Sequence, residues 1–293
     1  PEFGMETEGF VQTDKAQRAA EEDEEDAEDW TDLERFQHFI ASEHALRRLV
    51  CVRGLSETMK GVTCEEAASV ALPLLESAAK DDESSVRDAL ASQLAPMLKT
   101  LLSRAEPSEA EQIMALVWPV TLTLLRDRDQ QVRAVAEDAV IEFAPLLPAE
   151  FRDARLLPNL LALAGEDAEE QRMTAAKLLG EAACLVGQEA VQAVVCPQFV
   201  TLATDAMFRV RKATALYIGK VCRWASRDVA VATLLPVYLA LAEDEIWGVR
   251  KACAESLADV AAALPQQVRG ARLVPVFDKL ATDVSRWVRN SAF

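Results

Sequence analysis

Six prolines each stand fourteen residues ahead of an arginine: Pro73 and Arg87, Pro119 and Arg133, Pro158 and Arg172, Pro197 and Arg211, Pro236 and Arg250, Pro275 and Arg289. From Arg133 onward the arginines step by 39 residues, and only the interval from 87 to 133 is longer, by seven. A period near 40 predicts helical hairpins stacked in a solenoid. Each unit of such an array touches only its neighbours, and the array presents a long ridged surface suited to holding other proteins.

Aligning the units on the arginine exposes two apolar stripes at helical spacing. Positions −15, −12 and −9 read Leu157, Leu160, Leu163, then Cys196, Phe199, Leu202, then Leu235, Tyr238, Leu241, then Val274, Phe277, Leu280. Positions −1, +3, +7 and +10 read Val132, Ala136, Val140, Phe143, then Val210, Thr214, Ile218, Val221, then Val249, Cys253, Leu257, Val260. Between the stripes a polar turn carries an acid at −6: Asp81, Asp127, Glu166, Asp205, Asp244 and Asp283. Such an acid can accept hydrogen bonds from amides at the start of the second helix. It can also pair with the arginine of its own or an adjacent unit, giving a ladder of charge-assisted bonds. The proline lacks an amide hydrogen and is predicted to bend the first helix. Abundant Ala and Leu with only ten glycines predict an all-α chain with essentially no strand.

Proline in the first helix, acid in the turn and Val-Arg opening the second helix together resemble the HEAT repeat, over residues 30 to the end. The fold this implies is a right-handed α-solenoid of about seven repeats, at residues 30–62, 63–105, 106–149, 150–187, 188–226, 227–265 and 266–293, the last truncated. The first unit is degenerate: it lacks the proline, has Ser42 where the acid should be, and keeps Arg48 at the expected phase. Gln171 replaces the usual Val before Arg172, so that unit is expected to be looser. The last unit stops four residues after its arginine, short of a full second helix. The chain is therefore expected to be a fragment whose C-terminal face further repeats would cover.

Local strings carry the resemblance further. Ala41-Ser42-Glu43-His44, the turn Met207-Phe208-Arg209-Val210-Arg211-Lys212, the segment from Asp244 to Glu255, and Ser285-Arg286-Trp287-Val288-Arg289 are similar to the HEAT-repeat regulatory subunits of protein phosphatase 4. That family is related to the scaffold subunit of protein phosphatase 2A. The resemblance implies a non-catalytic regulator that binds a Ser/Thr phosphatase catalytic subunit, type 4 or 2A-like, with the catalytic metals in the partner. Phosphatase substrates are implied as further partners, and a cytoplasmic or nuclear setting is expected.

The net charge of −17 is unevenly placed, for residues 1 to 32 carry thirteen acidic and two basic side chains. The run from Glu21 to Asp26 repels itself and buries nothing, so residues 1–29 are expected to be a disordered acidic leader behind an expression-vector remnant, Pro1 to Gly4. Deleting residues 5 to 28 should leave the melting temperature within a few degrees of the parent. A body of negative balance offers no phosphate-binding footprint, which counts against nucleic acid. No apolar stretch approaches the length of a membrane span.

Chemistry is sparse. The two histidines, His38 and His44, both fall in the first unit with no nucleophile or metal constellation around them, and no glycine-rich phosphate loop exists. Six scattered cysteines with no C-x-x-C pair read as reduced packing residues. No catalytic residue, cofactor or metal site is expected. The irregular positions are those at −3 and −2 from the arginine. Early turns hold Ser84 and Ser85, Gln130 and Gln131, Glu169 and Glu170; later turns hold Phe208 and Arg209, Trp247 and Gly248, Arg286 and Trp287. Aromatic and arginine side chains on turns are the material of interface hot spots. Met207, Phe208, Arg209, Trp247, Arg286 and Trp287 are thus the candidate partner-binding residues. Alternatives are a tubulin-binding array of the TOG type, disfavoured by Ser42 and Glu43 in the first turn, and a transport receptor, for which nothing local speaks.

Overall fold

The computed structural model describes residues 30–292, and among these every regular element is helical. The expected acidic leader, residues 1–29, lies outside the described residues. No helix among those described is long and apolar enough to cross a membrane. The chain divides between Val132 and Arg133 into two compact units.

The first unit opens with Asp32–Ile40, started by Thr31, whose hydroxyl accepts the Glu34 amide while the Glu34 carboxylate accepts the Thr31 amide. This reciprocal capping satisfies amides that the first turn would otherwise leave open. Ala45–Arg53 and Leu55–Gly61 follow, interrupted at Gly54. The next hairpin pairs residues 64–79 with Ser84–Leu102, and Pro107–Leu125 comes after it. Gln130–Phe143 runs through the division. In the second unit the first, or A, helices are residues 149–164, 188–203, 227–241 and 266–281. The second, or B, helices are Glu169–Ala182, Phe208–Trp224, Trp247–Ala263 and Arg286–Ser291.

The stripes form the core as spacing predicts. Leu160, Leu163, Phe199, Tyr238, Val210, Ile218, Val249, Cys253 and Val260 are all fully buried. Each such large side chain contributes roughly 1.5–3 kcal/mol on burial. Tyr238 keeps its hydroxyl satisfied by donating to the Cys253 carbonyl at 2.7 Å. Val274 departs from the pattern and is exposed, on an A helix that packs on one side only among the described residues.

The repeat prolines act through a local widening of the helix. Ala67–Ala71, Arg152–Leu156, Val191–Val195, Ala230–Leu234 and Arg269–Leu273 are π-type turns, each ending two residues before its proline. A proline ring crowds the carbonyl four residues back and offers it no N–H, and a wider turn relieves both problems. Pro119 is the exception, inside the uninterrupted helix Pro107–Leu125. That helix starts twelve residues before its proline, where the other A helices start nine before theirs. Those three residues, with two more in Ser84–Leu102 and two in the loop after it, account for the longer interval between Arg87 and Arg133.

Two glycines bring the B helices of the second unit close together. A Cβ on Gly180 would lie 2.7 Å from the Tyr217 Cβ, and one on Gly219 would lie 2.6 Å from the Asp259 Cβ and 3.1 Å from the Val260 amide nitrogen. Neither neighbour is the movable end of a side chain. Gly219→Ala is therefore expected to destabilise by about 1–3 kcal/mol through overpacking, outweighing a helix-propensity gain of about 1 kcal/mol. Urea denaturation reads the difference, with Gly270→Ala, whose Cβ would meet nothing within 4 Å, as the control.

Candidate partner-binding ridge

Five arginine–aspartate clasps join turns of neighbouring repeats, two in the first compact unit and three in the second. Arg48 clasps Asp81, Arg87 clasps Asp127, Arg172 clasps Asp205, Arg211 clasps Asp244 and Arg250 clasps Asp283. In every case Nε and Nη2 donate to the two carboxylate oxygens at 2.6–3.2 Å, the bidentate geometry that suits a planar guanidinium. The third nitrogen, Nη1, turns back on its own unit: Arg211 donates to the carbonyls of Asp205 and Ala206, and Arg289 does the same to Asp283 and Val284. Each acid also accepts a backbone amide two residues ahead, as Asp244 Oδ1 does from Ile246 at 2.9 Å. Ser42 takes this second part in the first unit, its hydroxyl accepting the His44 amide at 3.2 Å, and Arg48 completes the rung to Asp81. The degenerate first unit thus keeps the ladder without its acid or its proline.

These contacts set the acid sensitivity of the array. The guanidinium hydrogen bond is the largest influence on Asp81 and Asp283 and holds both below the ordinary value of 3.8. For Asp127, Asp205 and Asp244 burial is the largest influence and pushes upward. The arginine and the backbone amide together outweigh it, so these carboxyls also lie low. A carboxyl whose folded pKa is depressed contributes stability that is complete above its unfolded pKa and is lost as pH falls through the folded one. The unfolding midpoint should therefore stay level from neutrality to about pH 5 and fall steeply below about pH 4. Thermal scans across that range check it, and a midpoint that stays level to pH 2 would show the rungs to be dispensable.

The candidate residues stand on the solvent side of this ladder. Phe208 and Trp247 are the first residues of their B helices, and Arg286 and Trp287 open the last one. Trp247 is 48% exposed and Trp287 49%, with Phe208 and Met207 only slightly more covered. Arg286 lies over the Trp287 ring, 4.6 Å from its centroid, and Arg209 lies 5.8 Å from the centroid of Phe208. Arg209 also reaches the preceding turn, pairing with Glu169 at 2.6 Å. Here a residue at −2 touches the −3 position of the repeat before it. Trp287 and Trp247 occupy the −2 and −3 positions of consecutive turns. Val284, in the same turn as Arg286, is 93% exposed. Sequence reasoning passed over it, although the equivalent positions Asp82, Arg128, Asp167, Ala206 and Glu245 are polar or small.

Elsewhere the structure supplies little chemistry. Among the described residues no group of three or more His, Cys, Asp or Glu could hold a metal ion. The His38 ring packs edge-on against Trp30 and Phe39, and His44 precedes the helix Ala45–Arg53. The packing role assigned to all six cysteines needs correction. Cys64, Cys196, Cys222 and Cys253 are buried, but Cys184 is exposed near the end of its B helix and Cys51 is half covered. Gln171 is buried with its side-chain oxygen unpartnered, at the position where the other proline-bearing repeats place valine.

Residues 234–264 match the HEAT repeat family. No curated protein matches the chain significantly in sequence. Among solved structures the chain is similar to Kap95p in its complex with RanGDP, with a TM-score of 0.58 and 12% identity over 89% of this chain and 34% of that one. It is similar also to the karyopherin Kap121p bound to the SUMO protease Ulp1p (TM-score 0.56, 17% identity, 89% and 28% covered) and to importin beta (0.55, 12%, 88% and 34%). The chain spans about a third of the length of these proteins or less. At such identities the likeness is one of fold, and it agrees with the hairpin stack: the chain is an all-helical α-solenoid, and the hairpin at residues 234–264 matches the HEAT repeat.

Proposed function

We propose that this chain is a non-catalytic regulatory scaffold that holds the catalytic subunit of a Ser/Thr protein phosphatase of the type 4 or 2A-like class. The observation that carries the reading is the change in turn chemistry along the second unit, from Glu169 and Glu170 to the half-exposed Phe208, Trp247 and Trp287 with Arg209 and Arg286 beside them. Residues that recur in every unit, such as the ladder pairs, serve stacking; a partner site must differ between units. The local strings around these turns resemble regulatory subunit 1 of protein phosphatase 4, which supports the choice of partner. Metals and catalysis then belong to the phosphatase, and this chain requires no cofactor.

The karyopherin likeness favours a second reading, a transport receptor that engages a small GTPase as Kap95p engages RanGDP. Surface plasmon resonance on the immobilised full chain separates the two. A purified type 4 phosphatase catalytic subunit is expected to bind, and Ran and tubulin are expected not to. Retention of Ran or tubulin without the phosphatase would replace the proposal.

A further inference from the structure

The B helix Phe208–Trp224 is charged unlike its neighbours. In a chain with 48 acidic and 31 basic residues it carries Arg209, Arg211, Lys212, Lys220 and Arg223 and no carboxylate. The B helices on either side, Glu169–Ala182 and Trp247–Ala263, both carry acids. All but one of these cations are answered from adjoining repeats: Arg209 pairs with Glu169, Arg211 with Asp244, Lys220 with Glu181 and Arg223 with Asp259. Lys212 is exposed and, among the described residues, makes no ion pair.

Lys212 is also one step of a regular row. Phe208, Lys212, Leu216, Lys220 and Trp224 stand at every fourth residue along the whole helix, apolar and cationic in turn. Residues four apart lie one above the other, so the row forms a single ribbon. Phe208, Leu216 and Trp224 are all exposed, and the Lys220 side chain is half-exposed. Tyr217 lies against Gly180 of the preceding B helix and Gly219 against Asp259 of the following one, so the ribbon fills the sector between those two contacts. An exposed ammonium with an apolar side chain one turn to either side suits a single carboxylate set between apolar groups. A run of phosphates does not fit, because Glu169, Glu181 and Asp259 border the ribbon and would repel it.

We propose that this ribbon binds an amphipathic helix of a partner protein in which leucine- or phenylalanine-like side chains and glutamates alternate at every fourth position. Both helices rise about 1.5 Å per residue, so the two rows keep register along their length. A glutamate then meets Lys212 while the apolar side chains beside it seat on Phe208 and Leu216, and Trp224 closes the far end. Apolar anchors supply affinity and the charge supplies selection. The ribbon shares Phe208 with the late-turn ridge, so the inference rests on the reading of the second unit as a partner surface and adds the chemistry of the segment that docks there.

Fluorescence anisotropy on the full chain tests it, with a labelled helical peptide in which leucines and glutamates alternate every fourth residue, and a twin with glutamine for each glutamate. The glutamate peptide is expected to bind at least about tenfold more tightly than its twin. Lys212→Gln should abolish that preference, weakening the glutamate peptide by about tenfold and leaving the twin unchanged, a coupling that loss of fold would not produce. Leu216→Ser should weaken both peptides alike. Both positions are exposed, so both variants should fold, and circular dichroism verifies this. Lys279→Gln, which removes an exposed ammonium from an A helix, should change nothing. Equal binding of the twins, no binding, or a preference that survives Lys212→Gln would overturn the proposal. So would peptide binding that appears only after deletion of residues 1–28, which makes the chain's own leader the occupant, or a concentration-dependent dimer abolished by Lys212→Gln, which makes a second copy the occupant. Because the probe is a peptide, the partner is tested apart from the site. Phosphatase retained with no peptide binding overturns the site alone, and peptide binding with no phosphatase overturns the partner alone.

Discussion

Trp247→Ala and Trp287→Ala together should weaken capture of the proposed partner, a phosphatase catalytic subunit, by more than about tenfold, because truncating a hot-spot aromatic typically costs at least about 2 kcal/mol of binding. Each ring is roughly half exposed, so each keeps an apolar face for a partner while its other half packs on the turn. Arg286 lies over the Trp287 ring, and a ring already held by a cation loses less freedom on docking. The melting temperature should change little, since neither side chain belongs to the core. Calorimetric binding and a thermal scan of the same samples decide the matter. Undiminished binding by the double variant, or unfolding of either single variant, would identify the tryptophans as staples of the turn.

Arg87→Ala is expected to be the most damaging single change in the ladder, by about 3–5 kcal/mol. Arg87 and Asp127 side chains are each only 5% exposed, and loss of the guanidinium removes two charge-assisted donors from a buried carboxylate and the donor to the Asp81 and Asp82 carbonyls. Arg211→Ala should cost less, about 1–3 kcal/mol, because the pair with Asp244 lies nearer to solvent. Removing both members, as Arg87→Met with Asp127→Asn, should recover part of the loss, since the unpaired charge is what destabilises. Urea denaturation of the three variants measures this order. An unchanged midpoint for Arg87→Ala would mean that the clasp adds nothing.

The period and the acid–arginine pairing were legible because every unit repeats them, so chance coincidences average out. The direction of each clasp was not. Asp205 is six residues from Arg211 and 33 from Arg172, and only the stacking of hairpins decides that its carboxylate meets the latter. Proline predicted a disturbance in the A helix but not its form, because a kink and a π turn relieve the same clash. Pro119 needed neither, its helix being lengthened instead. Gly180 and Gly219 carried a signal that went unused: two glycines at one register inside B helices, a place where helix propensity argues against them. Leu46 and Val50, on the second helix of the degenerate first repeat, stand exposed, and the alignment of stripes did not extend to them.

The clasps also determine how the second unit bears load. Arg172–Asp205, Arg211–Asp244 and Arg250–Asp283 link consecutive turns in series, each arginine anchored by Nη1 to its own turn and by its other nitrogens to the next. Two partners tugging on separate turns would place this line of fasteners under tension before the apolar seams between helices. Each fastener spans only one junction, so rupture at one leaves its neighbours closed. Stretched from its ends, the unit should lengthen in steps, each releasing one 39-residue hairpin, and should rejoin in the same increments when the pull relaxes.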